Sequence, residues 1–110
     1  MKFPASVTDL LRELVAIPSV SPEGDSGGTP PGEAAIGAHV AEWLRALGAE
    51  VTVTDVQPGR PNVVGRFIGA KAGAPTLAIV PHLDTVGVAS MTVAPFGAEV
   101  RDGRLYGRGA

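Results

Sequence analysis

The chain is 110 residues long with a net charge of -2, 45% hydrophobic and 18% charged residues, which suits one domain, or part of one, with enough apolar content to bury a core. That balance excludes disorder driven by charge and argues against an electrostatic nucleic-acid binder. The absence of cysteine removes disulfide scaffolds, thiolate metal sites and a Cys nucleophile, so any metal must be held by imidazoles and carboxylates.

Aliphatic runs such as Leu77 to Val80 fall far short of the roughly 18–20 residues that a membrane span needs. Asp9, Arg12 and Glu13 interrupt the apolar stretch near the N-terminus. No membrane segment or export signal is read, and a cytoplasmic location is expected. Val7, Leu10, Leu11, Leu14 and Val15 recur at helical spacing and predict a first amphipathic helix, with Ser6 and Asp9 as a capping pair and Pro18 as its stop. The stretch from Pro18 to Gly32 is rich in Gly, Pro and Ser and reads as a loop. Ile36, Val40, Trp43, Leu44 and Leu47 form a second helical stripe, and Gly48 stands where a left-handed C-terminal residue is wanted. Trp43 reads as core.

Glu50 to Val56 alternates as a half-buried strand, and a second strand follows from Asn62 to Ile68 beyond a Pro-Gly turn. Thr76 to Val80, TLAIV, is a short continuous apolar run of the kind buried on both faces of a sheet, and so predicts a central strand. Glu99 to Tyr106 predicts a hairpin turning at Asp102-Gly103. The architecture expected is a three-layer α/β/α domain with a mixed, mainly parallel sheet and both helices packed on it.

The central strand runs into Pro81-His82-Leu83-Asp84, and open α/β sheets place their ligands at such strand ends. In extended backbone residues i and i+2 project to one side, which sets the His82 imidazole beside the Asp84 carboxylate with Leu83 directed to the core. A carboxylate that accepts from one ring nitrogen fixes the tautomer and raises the basicity of the other, which suits a metal ligand. The competing reading is a polar pair at a strand end, satisfied by itself and by solvent. His39 reads as a flank residue of the second helix. Glu23, Asp25 and Glu33 read as solvated acids in or after the long loop. Gly24 to Gly28 lacks the preceding strand and the Lys of a phosphate loop, and no Ser stands in a nucleophile elbow.

Ile17-Pro18-Ser19, then Pro81-His82-Leu83-Asp84-Thr85-Val86, then Pro95-Phe96 and Asp102 to Ala110 (DGRLYGRGA) occur in that order. Together they resemble the N-terminal part of the two-zinc peptidase and deacylase family that includes acetylornithine deacetylase, succinyl-diaminopimelate desuccinylase, aminoacylase-1 and glutamate carboxypeptidase. The resemblance covers nearly all of the chain and well under half of a full member. It implies metal-dependent hydrolysis of a peptide or N-acyl amino acid amide at two zinc ions, with cobalt or manganese as alternatives. It also implies His82 as a zinc ligand, Asp84 as the catalytic carboxylate that orients it, and a homodimer formed through a further domain. Met91 stands where many members carry Trp. The family's bridging Asp, paired Glu and second His lie beyond Ala110, so residues 1–110 are expected to be an incomplete catalytic segment, inactive alone. A non-catalytic α/β binding or interaction domain is the alternative.

Overall fold

The computed structural model describes residues 2–110. Helix α1 spans Val7–Val15. Its start is fixed by Ser6, which is extended (φ -151°, ψ 167°) and accepts the Asp9 N–H at 3.1 Å, while its hydroxyl donates to the Asp9 carboxylate at 2.8 Å. The cap satisfies one free amide and sets a negative charge in the first turn, where the helix dipole favours it. Leu10, Leu11 and Leu14 are half-buried, and Val15 is the buried member of the stripe. The Arg12 guanidinium ties the helix to the far end of the chain by donating from Nε to the Ala98 carbonyl at 3.1 Å.

Helix α2 spans Ala34–Ala46. Gly48, at φ +92°, closes it: its N–H donates to the Arg45 carbonyl at 2.9 Å and that of Ala49 to the Leu44 carbonyl at 3.0 Å. This paired termination needs a left-handed residue, which glycine adopts without a Cβ penalty.

Strands β1 (Glu50–Gln57) and β2 (Arg60–Arg66) form an antiparallel hairpin with Val53 opposite Val63 and Val51 opposite Gly65. Helix α2 lies on this hairpin through two close approaches, in which Gly37 faces Pro61 and Gly65 faces Leu44. The expected half-burial of β1 is only partial, since Val51 is half-buried but Val53 is 44% exposed. Strands β3 (Glu99–Arg101) and β4 (Arg104–Tyr106) form the second hairpin. Its turn residues Asp102 and Gly103 both have positive φ, +51° and +72°, the combination whose twist matches paired strands.

The mainly parallel three-layer sheet expected from the sequence is not formed among the described residues. There are two helices and two separate two-stranded antiparallel sheets, and the one parallel element is an isolated bridge between Val20 and Thr85. The TLAIV segment is in no strand, and Leu77, Ile79 and Val80 are 85%, 82% and 90% exposed. The physical reason lies in pairing. An apolar run demands burial without naming a neighbour; each hairpin pairs its own two strands, and residues 76–80 join the outer edge of neither. Helix α2 therefore packs on a hairpin, and the apolar side of α1 faces a cavity. No helix among the described residues is long and apolar enough to cross a membrane.

Candidate functional site

The segment that follows TLAIV is held from one side by the long loop. The Thr85 N–H donates to the Ser19 carbonyl and the Ser21 N–H to the Thr85 carbonyl, both at 2.9 Å. These two bonds make the Val20–Thr85 bridge, and Val20 is fully buried beneath it. Further along, the Val88 N–H donates to the Asp25 carbonyl at 2.9 Å. Loop and segment touch backbone to backbone here: a Cβ on Gly87 would stand 2.9 Å from the Asp25 nitrogen, and one on Gly24 would stand 3.1 Å from the Gly87 nitrogen. Any larger side chain at either position would push the two apart.

His82 and Asp84 project from this anchored segment on the same side. The His82 Nδ1 lies 2.8 Å from the Asp84 carbonyl oxygen and 3.1 Å from its carboxylate Oδ1. Both partners are acceptors, so Nδ1 carries the proton that it donates to them. In the neutral ring Nε2 then keeps its lone pair, no described bond engages it, and the side chain is 84% exposed. Leu83 is half-buried, less sheltered than a core position.

The pair sits at the rim of a cavity of about 400 Å³ walled by the apolar sides of α1 and α2, among them Leu14, Val40 and Trp43, and floored by Thr85 and Arg108. Gly109 brings the chain close, since a Cβ there would meet the Thr85 methyl at 3.0 Å, and the Arg108 N–H donates to the Pro95 carbonyl at 2.7 Å. Trp43 Nε1, Thr85 Oγ1, Arg108 Nε and His39 Nε2 are buried around this cavity without a hydrogen-bond partner among the described residues. Trp43 is thus half-buried against the cavity, where the sequence placed it in the core. His39 flanks the stripe as expected, with Nε2 3.5 Å from Glu13 Oε2. A larger concavity of about 550 Å³, beside Phe3, Arg12 and Ala98, holds no histidine.

Glu33 corrects the sequence reading. It is 5% exposed instead of solvated, and its carboxylate receives both Arg60 Nε, at 3.0 Å, and Arg60 Nη2, at 2.7 Å. The reason is that its partner stands at the start of β2, and a bidentate guanidinium makes burial of the carboxylate tolerable. Bonding to Glu33 is the main cause that holds the Arg60 guanidinium in its charged form, opposed by burial and helped by the charges of Glu33, Glu23 and Asp84. Glu23 stays exposed as expected, its carboxyl held below the usual range chiefly by the Ser21 hydroxyl. The visible sequence signal for the pair was a lone acid directly before a helix and a lone arginine within a turn.

No three or more His, Cys, Asp or Glu side chains converge into a metal-holding group among the described residues. His82 and Asp84 by themselves fall short of the about three protein ligands a catalytic zinc takes.

No protein-family model matches the chain. Curated proteins do. The chain is 35% identical over 111 residues to a succinyl-diaminopimelate desuccinylase of Parvibaculum lavamentivorans, covering 97% of this chain and 26% of the relative. It is 40% identical over 103 residues to the desuccinylase of Gluconacetobacter diazotrophicus, covering 92% and 24%. With that of Beijerinckia indica it shares 36% over 106 residues, covering 93% and 25%. The chain thus spans about a quarter of the length of the relatives it matches. On this similarity, which runs through almost all of its residues, the chain belongs, as a part of about a quarter of their length, to the family of the succinyl-diaminopimelate desuccinylases, the family that its motifs resemble.

Proposed function

We propose that these residues are the N-terminal segment of the catalytic domain of a metal-dependent amidohydrolase, and that the longer protein removes an N-acyl group from an amino acid. The names of the relatives point to an N-succinyl diamino acid as the substrate. The observation that carries this reading is the His82–Asp84 geometry, in which Nδ1 is committed to Asp84 and Nε2 is left free at an exposed rim. Such a ring is a preset ligand, because its tautomer and direction are fixed before a cation arrives.

In this reading His82 holds one of two zinc ions and Asp84 orients it. Cobalt or manganese could serve the same donors. When bound, the metal supplies Lewis-acid polarisation of the amide carbonyl. The chain's own part is to anchor the segment through Ser19, Ser21 and Thr85, to aim the imidazole, and to offer the apolar cavity as a wall. The exposed TLAIV run is proposed to be a central strand once the rest of the catalytic domain pairs with it, and dimerisation to lie in a further domain. With one aligned imidazole, the 110-residue chain is expected to bind zinc weakly and to hydrolyse nothing.

Zinc titration of the chain, followed by the ring signals of His82 and His39, tests the assignment. The His82 signals are expected to respond at zinc concentrations above the micromolar range, and His82→Ala to abolish the response. A response at His39 instead, or one indifferent to His82→Ala, would overturn the ligand assignment. A sub-micromolar site would contradict the view that the donor set is partial.

A further inference from the structure

We propose that Glu33 and Arg60 are positioning residues that latch the long loop to the start of β2 and so hold the His82–Asp84 segment in place. The bonds form a continuous path. Arg60 grips Glu33 through two hydrogen bonds, at 2.7 and 3.0 Å. The residue before it, Gly32, donates its N–H to the Val20 carbonyl at 2.8 Å, and Val20 is bridged to Thr85, the neighbour of Asp84.

The path is also tight. A Cβ on Gly32, which has φ +94°, would stand 3.2 Å from the Gly59 carbonyl oxygen, so the loop meets the turn next to Arg60 with little slack. The Arg60 guanidinium has Glu23 Oε1 at 3.8 Å as well, and the charge of Asp84 adds to the field that keeps it protonated. One cation thus faces an acid within the loop and another just after it. Without the latch, the loop is fastened to the rest of the chain mainly by the backbone bonds to residues 85–88, and the imidazole would share in its local opening.

The functional meaning of the latch rests on the reading of His82 and Asp84 given above, whereas the latch itself is tested without metal. Amide hydrogen exchange and the His82 ring signals are compared between the parent chain and Glu33→Gln, which keeps the side-chain shape and removes the charge. The N–H groups of Ser21, Gly32 and Thr85 are expected to exchange about tenfold faster or more, as befits a local opening. The His82 ring signals should shift, and the β1–β2 amides should be unchanged. Loop amides that do not respond, or hairpin amides that accelerate in step with them, would overturn the latch, the second because the pair would then support the fold as a whole. Should Glu33→Gln not fold, Arg60→Lys serves in its place. It keeps the charge but not the fork, so a smaller acceleration confined to the same amides is expected, and none would refute the proposal. Failure of the metal reading appears separately, as a parent chain whose His82 ignores zinc.

Discussion

Replacing Gly37 by Ala sets two known effects against each other inside α2. Alanine is favoured over glycine in a helix interior by about 1 kcal/mol, so on an open helix face the change would stabilise. Gly37 is buried, however, and its new Cβ would stand 2.7 Å from Pro61 Cγ, with Val63 Cγ2 at an ordinary 3.6 Å. The obstacle is a proline ring on β2, which cannot swing aside as a flexible side chain could, and overpacking of this kind costs about 1–3 kcal/mol. Packing should win, for a net loss of about 1 kcal/mol and a Tm lower by roughly 4–8 °C. Urea unfolding followed by Trp43 fluorescence measures it. The cycle with Pro61→Ala isolates the cause, since removing Cγ leaves the nearest ring atom, Cβ, at 3.7 Å, and Gly37→Ala should then stabilise. A Gly37→Ala chain more stable than its parent, or a coupling energy near zero, would refute the claim that α2 sits hard against the hairpin.

Ser6→Ala should weaken α1 by about 1 kcal/mol, read as faster exchange at the Asp9 amide, whose acceptor it removes; unchanged exchange there would count against the cap. Leu77→Lys and Ile79→Lys alter side chains that are 85% and 82% exposed, so stability should change by less than about 0.5 kcal/mol. Self-association in sedimentation should fall, and a large loss of stability would show instead that the TLAIV run is buried. Glu23 is held below the usual glutamate range chiefly by the Ser21 hydroxyl. A carboxyl lowered on folding contributes stability that is present above its unfolded pKa and lost as pH falls through the folded one. Ser21→Ala should therefore raise the Glu23 carboxyl midpoint seen by NMR and shrink that acid-side dependence, and an unmoved midpoint would refute the assigned cause.

The features that the sequence made legible are those set by a few neighbouring residues. The Ser6–Asp9 cap, the left-handed Gly48 and the Asp102-Gly103 turn follow from local backbone preferences, and the structure has all three. The nearness of His82 to Asp84 is of the same kind, because i and i+2 share a side in any extended segment. The failures are non-local. TLAIV announced its need for burial, but no property of those residues says which strand lies beside them. Glu33 looked like a solvated acid because its partner is 27 positions away, across a helix and a strand. The cavity between α1 and α2 was equally hidden, since each stripe reads as a face to be covered without naming its cover.

The central claim is that Asp84, through its carbonyl and its carboxylate, holds the Nδ1 proton of His82 and leaves Nε2 bare. Long-range ¹H–¹⁵N correlation spectra of the ring, recorded well above the usual imidazole pKa of about 6.5, measure this directly. They should show a single tautomer protonated at Nδ1, and Asp84→Ala should weaken that preference without abolishing it, because the backbone carbonyl at 2.8 Å remains as an acceptor. A ring protonated at Nε2 in the parent chain, or one already averaged between the two forms, would contradict it.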